Sequence, residues 1–104
     1  MHLLVRSMWP ADTSEEVGKA YINFVGKGMP KGVRLLESYV RATFNGIEGY
    51  TIYRVKDENF VQGFKELQEK YVAFHEVVGY RYAIEPMLTA AEALPMVGLK
   101  PPGE

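Results

Sequence analysis

The chain has 104 residues, 47% of them hydrophobic and 24% charged, with 12 basic against 13 acidic side chains and no cysteine. A chain of this size reads as one domain that buries a core without covalent staples, and its near-balanced charge supplies no field to collect DNA or anionic lipid. The lack of cysteine excludes disulfides, thiolate chemistry and cysteine-held zinc or iron–sulfur sites.

The opening Met1-His2-Leu3-Leu4-Val5-Arg6 has no basic stretch followed by a long apolar core. No apolar run approaches the roughly 20 residues of a membrane span, so a cytoplasmic protein with no membrane partner is expected. Leu3 to Trp9 is a short apolar run closed by Pro10, which fits the end of a first strand. Thr13-Ser14-Glu15-Glu16 has the capping-box pattern and predicts a helix start. Val17, Ala20, Tyr21 and Phe24 then form one apolar stripe, and Gly28 and Pro30 stop the helix near Lys27.

Val33 to Val55 reads as a hairpin, two alternating runs meeting at Asn45-Gly46. A two-residue turn there sets Phe44 against Ile47 and Glu37 against Arg54. One face then carries Leu35, Glu37, Tyr39, Arg41 and Thr43 with Glu48, Tyr50, Ile52, Arg54 and Lys56. The other carries Leu36, Ser38, Val40, Ala42 and Phe44 with Ile47, Gly49, Thr51, Tyr53 and Val55, and reads as core, with Ser38 opposite Tyr53. Asp57 is placed to cap a second helix, whose apolar residues Phe60, Phe64, Leu67, Tyr71, Phe74 and Val78 step by four and three before Gly79 ends it. Tyr80 to Glu85 alternates again ahead of Pro86, giving a fourth strand.

The order β-α-β-β-α-β, with right-handed crossovers, predicts an α+β fold. It is a ferredoxin-like sandwich with a four-stranded antiparallel sheet and both helices on one face. This domain spans residues 1–88, and residues 89–104 add a short helical turn and a C-terminal tail. Thr89-Ala90-Ala91-Glu92 can cap that turn and Pro95 close it, while Met96 to Pro102 is apolar enough to dock yet rich enough in Pro and Gly for a loose tail.

Sorted by the same alternation, strands one and four send Arg6, Arg81 and Glu85 to the uncovered face and Tyr82 and Ile84 to the core. That face gathers Arg6, Glu37, Tyr39, Arg41, Tyr50, Arg54, Arg81 and Glu85, too polar for a core, beside Leu4, Met8, Leu35 and Ile52, too apolar for a plain wet surface. Its arginines can grip a carboxylate or phosphate, and Tyr39 and Tyr50 can stack on a flat ligand. The same residues equally suit a cross-strand ion-pair lattice in a dimer interface.

With these elements the chain resembles the dimeric α+β barrel superfamily over residues 1–88. More narrowly, Gly28-Met29-Pro30-Lys31-Gly32-Val33, Glu37-Ser38-Tyr39-Val40, Gly49-Tyr50, Phe74 and Glu85-Pro86 look like a small prokaryotic family of unknown function within it. The resemblance implies a homodimer or higher oligomer, built by packing uncovered sheet faces together, and a small, often aromatic ligand. Relatives at that level include cofactor-independent monooxygenases, isomerases, cyclases, haem-degrading enzymes and ligand-sensing domains.

His75, beside the Phe74 core position, carries the side-chain type best suited to acid–base work and is the catalytic candidate together with Tyr39; it equally suits a boundary histidine favoured by a helix C-terminus. Trp9 and Asn23 do not match the tryptophan and asparagine that accompany the histidine of haem-degrading relatives, so no cofactor is expected. His2, His75 and Glu76 have no metal-ligand spacing, and no metal is expected. Tyr50 echoes one stacking position of an RNA-recognition motif, but Ile52 occupies the other, strand one lacks its aromatic, and no nucleic-acid partner is expected. The expected function is binding of a small aromatic or anionic organic molecule on the uncovered face. A cofactor-independent monooxygenase, isomerase or cyclase, and a purely structural or assembly role, are the alternatives.

Overall fold

The computed structural model describes residues 1–102 and shows an α+β fold. Strands β1 (His2–Trp9), β2 (Val33–Thr43), β3 (Gly46–Val55) and β4 (Arg81–Met87) form one antiparallel sheet in the order β2-β3-β1-β4. Helix α1 (Ser14–Gly26) joins β1 to β2, helix α2 (Phe60–Tyr71) joins β3 to β4, and a four-residue helix α3 (Ala90–Ala93) follows the sheet. Among the described residues no helix is long and apolar enough to cross a membrane. Residues 103 and 104 of the expected tail lie outside the described residues.

The core forms where one face of β1 and β3 meets both long helices. Leu3, Val5, Tyr53 and Val55 pack with Val17 and Phe24 of α1, with Leu67 and Tyr71 of α2, and with Phe74 just beyond it. Lys70 ties the helices together: from α2 its ammonium donates to the carbonyls of Phe24, at 3.0 Å, and Gly28, which the end of α1 leaves without helical partners. Gly63 lets α2 lie close on the hairpin, because an added Cβ would stand 2.9 Å from Val33 Cγ2 and Val55 Cγ1.

Several local expectations need correction. Thr13 does not cap α1 through its side chain; its hydroxyl donates to Pro10 O within a 3-10 turn over Ala11–Thr13 that precedes the helix. Asp57 likewise opens a 3-10 turn, and its carboxylate accepts from the Met1 ammonium at 2.8 Å instead of capping α2. The second helix tightens to 3-10 geometry over Val72–Glu76. With three residues per turn in place of 3.6, the apolar stripe changes phase, so Val77 is buried and Val78 is 80% exposed. Pro86 lies inside β4, where its missing N–H is tolerated because β4 is an edge strand. At Thr89 the capping box does form, but Pro95 starts a further 3-10 turn, Leu94–Val97, which ends at Gly98 in the left-handed region. Met96, Val97 and Leu99 of that segment are exposed.

The hairpin register also differs. Thr43 pairs with Gly46, Ala42 with Ile47 and Glu37 with Ile52, so the loop is Phe44-Asn45 and Glu37 does not face Arg54. Asn45 stays out of the left-handed region that an Asn-Gly turn of the expected type would require. Instead its N–H donates to Thr43 Oγ1, and Gly46 is needed at the start of β3, where a Cβ would meet Trp9 O at 2.7 Å. Phe44 therefore sits at the loop, fully exposed, rather than in the core. A bulge between Leu35 and Glu37 then shifts the pairing once more, setting Leu35 against Tyr53 on the covered face and Arg34 against Arg54 on the uncovered one. The partner of Ser38 is Thr51, with 3.0 Å between the hydroxyls, and Tyr53 bonds Tyr71.

Candidate functional site

From Glu37 to Thr43 the pairing is shifted by two residues from the expected register, which preserves side-chain direction, so the polar face survives the register error. In cross-strand order it reads Arg41–Glu48–Met8–Arg81, then Tyr39–Tyr50–Arg6–Ala83, then Glu37–Ile52–Leu4–Glu85. All the sequence-predicted binding residues, Arg6, Glu37, Arg41, Tyr50, Arg54, Arg81 and Glu85, lie on this face together with Tyr39. Much of its charge is internally engaged. Arg6 Nε donates to Glu85 at 2.6 Å, which holds the Glu85 carboxyl below the ordinary carboxylate range. Arg41 donates to Glu48 at 3.4 Å and to the Tyr50 hydroxyl at 3.3 Å, and Tyr50 donates to Glu48 at 3.1 Å. The neighbouring Glu37 carboxylate pushes the Tyr39 hydroxyl up. The depression over Arg6, Glu48, Tyr50 and Arg81 is small, about 280 Å³.

His75 does not join this set. Its Nε2 lies 2.7 Å from the Tyr82 hydroxyl, and Tyr82 pairs with Ser7 on the helix-covered side of the sheet. His75 and Tyr39 therefore belong to opposite faces and do not form one catalytic pair. Among the described residues no group of three His, Asp or Glu side chains is placed to hold a metal ion.

A larger cavity, about 470 Å³, lies on the helix side. It lies between α1 and the loop end of the hairpin, where the covered face carries Ser38, Val40, Ala42, Ile47 and Gly49 and no aromatic ring. Its aromatic wall is a chain of rings. Trp9 stacks on Tyr80 at 5.8 Å, Tyr80 on Phe74 at 4.7 Å and Phe74 on Tyr71 at 5.3 Å. Trp9 is anchored by donating from Nε1 to Ser14 Oγ at 3.1 Å. At Gly49 a Cβ would strike Ser7 Oγ at 2.6 Å and the Trp9 ring at 3.2 Å, so that glycine lets the ring lie against the strand. Gly18 of α1 borders the cavity with nothing within 4 Å of where its Cβ would stand.

Most of the polar side chains around this cavity carry hydroxyls. Tyr71 has its hydroxyl pushed up by burial and by its hydrogen bond to Tyr53, and burial does the same to Tyr80. Both stay neutral and act as hydrogen-bonding groups rather than bases. Of the sequence-predicted residues only Tyr39 and Arg41 also border this cavity. Trp9, Tyr21, Tyr71 and Tyr80 were missed because each reads as core. The available signal was the small residues Ala42 and Gly49 on a face otherwise built of large ones.

No family model and no curated protein matches the chain. Among solved structures it is similar to the crystal structure of a DUF3240 family protein from Shewanella baltica OS155. The two are 13% identical over 85% of this chain and 91% of that chain, with a TM-score of 0.37.

Proposed function

We propose that this chain is a small-molecule-binding α+β module of the dimeric α+β barrel type, holding a flat aromatic ligand between α1 and the hairpin. The aromatic-walled cavity carries the reading. Its volume of about 470 Å³ falls in the usual range for ligand pockets, and its few hydroxyls among apolar rings are the usual way to orient a ligand. The depression over Arg6, Glu48, Tyr50 and Arg81 on the uncovered face offers less room, and its charges are largely engaged, which favours the helix side for a flat aromatic ligand. Binding is favoured over a cofactor-independent monooxygenase, isomerase or cyclase because burial pushes the Tyr71 and Tyr80 hydroxyls at the cavity wall up, away from the range of a base, and His75 does not line it.

Trp9, the single tryptophan, reports occupancy directly. Titration with a panel of aromatic metabolites is expected to change its emission saturably for at least one compound. Gly18→Leu, which fills the cavity mouth while raising helix propensity by roughly 0.5–1 kcal/mol, is expected to abolish that change without loss of fold. No saturable change with any compound, or equal binding by G18L, would overturn the reading and favour a structural or assembly role.

The homodimer belongs to the same proposal. Leu4, Met8 and Ile52, half-buried among the ion pairs of the uncovered face, give a second copy an apolar centre with a charged rim. Sedimentation equilibrium at micromolar concentration should show a dimer; a monomer there removes this part.

A further inference from the structure

The row of the uncovered face farthest from the hairpin loop sets Arg34 of β2 directly opposite Arg54 of β3, with His2 of β1 on the other side of Arg54. Like charges placed directly opposite repel, and here the fold creates the conflict. On the register that runs from Thr43 to Glu37, Leu35 would face Arg54; the bulge brings Arg34 there instead. Bulges that re-aim side chains gather beside functional sites.

Most of the carboxylates near the pair are engaged elsewhere. Glu85 is held by Arg6 and Asp57 by the Met1 ammonium, although Asp57 still lies within the field of Arg54, and Glu37 stands opposite Ile52 rather than either arginine. Among the described residues neither Arg34 nor Arg54 has an ion-pair partner. His2 Nδ1 is shielded from solvent with no hydrogen-bond partner among those residues, a state that buried ring nitrogens usually avoid. All three side chains line a cleft of about 770 Å³ that also receives Lys56. Of the other acids there, Glu92 is held by Thr89 and Glu58 remains.

We propose that Arg34 and Arg54 together clamp a tetrahedral oxyanion, a phosphate or the phosphate of a small phosphomonoester. Each guanidinium is a planar fork donating two parallel hydrogen bonds. A carboxylate's two oxygens satisfy one fork, whereas the terminal oxygens of a phosphate serve both at once. Binding cancels the repulsion that the empty row carries. This site is separate from the aromatic cavity and stands or falls independently of it.

Calorimetric titration of the full chain with inorganic phosphate at low ionic strength, against a chloride-matched blank, tests the clamp. The wild type is expected to show saturable binding at one site, weakened about tenfold or more by Arg34→Gln and by Arg54→Gln. Arg81→Gln, which removes an equal charge from the same face, should stay within about twofold. Without phosphate, R34Q should melt no lower than the wild type, which separates lost binding from lost fold. Absence of saturable binding, retention of it in R34Q and R54Q, or an equal loss in R81Q would overturn the proposal.

Discussion

The hydroxyls of Tyr53 and Tyr71 stand 2.7 Å apart in the core, joining the central strand β3 to the last turn of α2. Tyr53 is 0% exposed, so its hydroxyl has no access to water if the partner is lost. Tyr71→Phe keeps the ring stacking on Phe24 and Phe74 but strands that hydroxyl, and should cost about 1–3 kcal/mol in urea unfolding. The Tyr53→Phe, Tyr71→Phe double variant should recover part of the loss, because removing both partners leaves nothing unsatisfied. A double variant weaker than Y71F alone would mean that the bond itself, not the stranded hydroxyl, matters.

The same burial sets the alkaline limit of the fold. Tyr53 and Tyr71 have hydroxyls held well above their ordinary value of 10.0, and Tyr80 is raised as well, in each case chiefly by burial. Above pH 10 the unfolded chain releases these protons and the folded one keeps them, so stability is fully present below that pH and falls as pH rises further. The slope is about 1.4 kcal/mol per pH unit for each tyrosine held neutral. Absorbance at the tyrosinate band should show these residues ionising only together with loss of secondary structure. Their titration in the intact fold near pH 10 would contradict the burial argument.

Gly63 offers a test of how closely α2 sits on the hairpin. Alanine in a helix is ordinarily stabilising by roughly 0.5–1 kcal/mol, but here its methyl meets Val33 and Val55 inside van der Waals contact. Overpacking of that kind costs about 1–3 kcal/mol, so Gly63→Ala should lower stability on balance. Adding Val55→Ala should make the glycine replacement less harmful than it is alone, read as a double-mutant cycle.

Lys70 contributes through hydrogen bonds to carbonyls rather than through an ion pair. Its Nζ lies 4.5 Å from the centre of the Phe24 ring and 3.0 Å from Phe24 O. Lys70→Met retains the aliphatic stem but removes the donor, and should destabilise by about 1–2 kcal/mol. Because no carboxylate is involved, the loss should persist in 1 M salt; a loss that vanishes there would reassign it to charge–charge attraction.

Much of this molecule was legible in the residues themselves. Alternation along β1, β3 and β4 identified the strands and their faces, and the steps from Phe60 to Phe74 located α2. Both periods follow from backbone geometry and are written locally. The polar face was legible for the same reason: a shift of two residues preserves side-chain direction, so Tyr39, Tyr50 and Arg6 still meet although the assumed turn was wrong. Pairing was not legible, because it depends on where strands meet. The approach of Gly46 to Trp9 O places the loop at Phe44-Asn45, and the bulge near Leu36 brings Arg34 opposite Arg54. Nothing local distinguishes Trp9, Tyr71 and Tyr80 as cavity wall from the same rings as core; the difference is the space left between α1 and the hairpin, a relation between elements far apart in the chain. Sequence periodicity by itself determined the element order and which faces are wet. Tertiary packing alone decided the register, the room left beneath α1 and which charges lack partners, since each depends on distances between segments that no local pattern encodes.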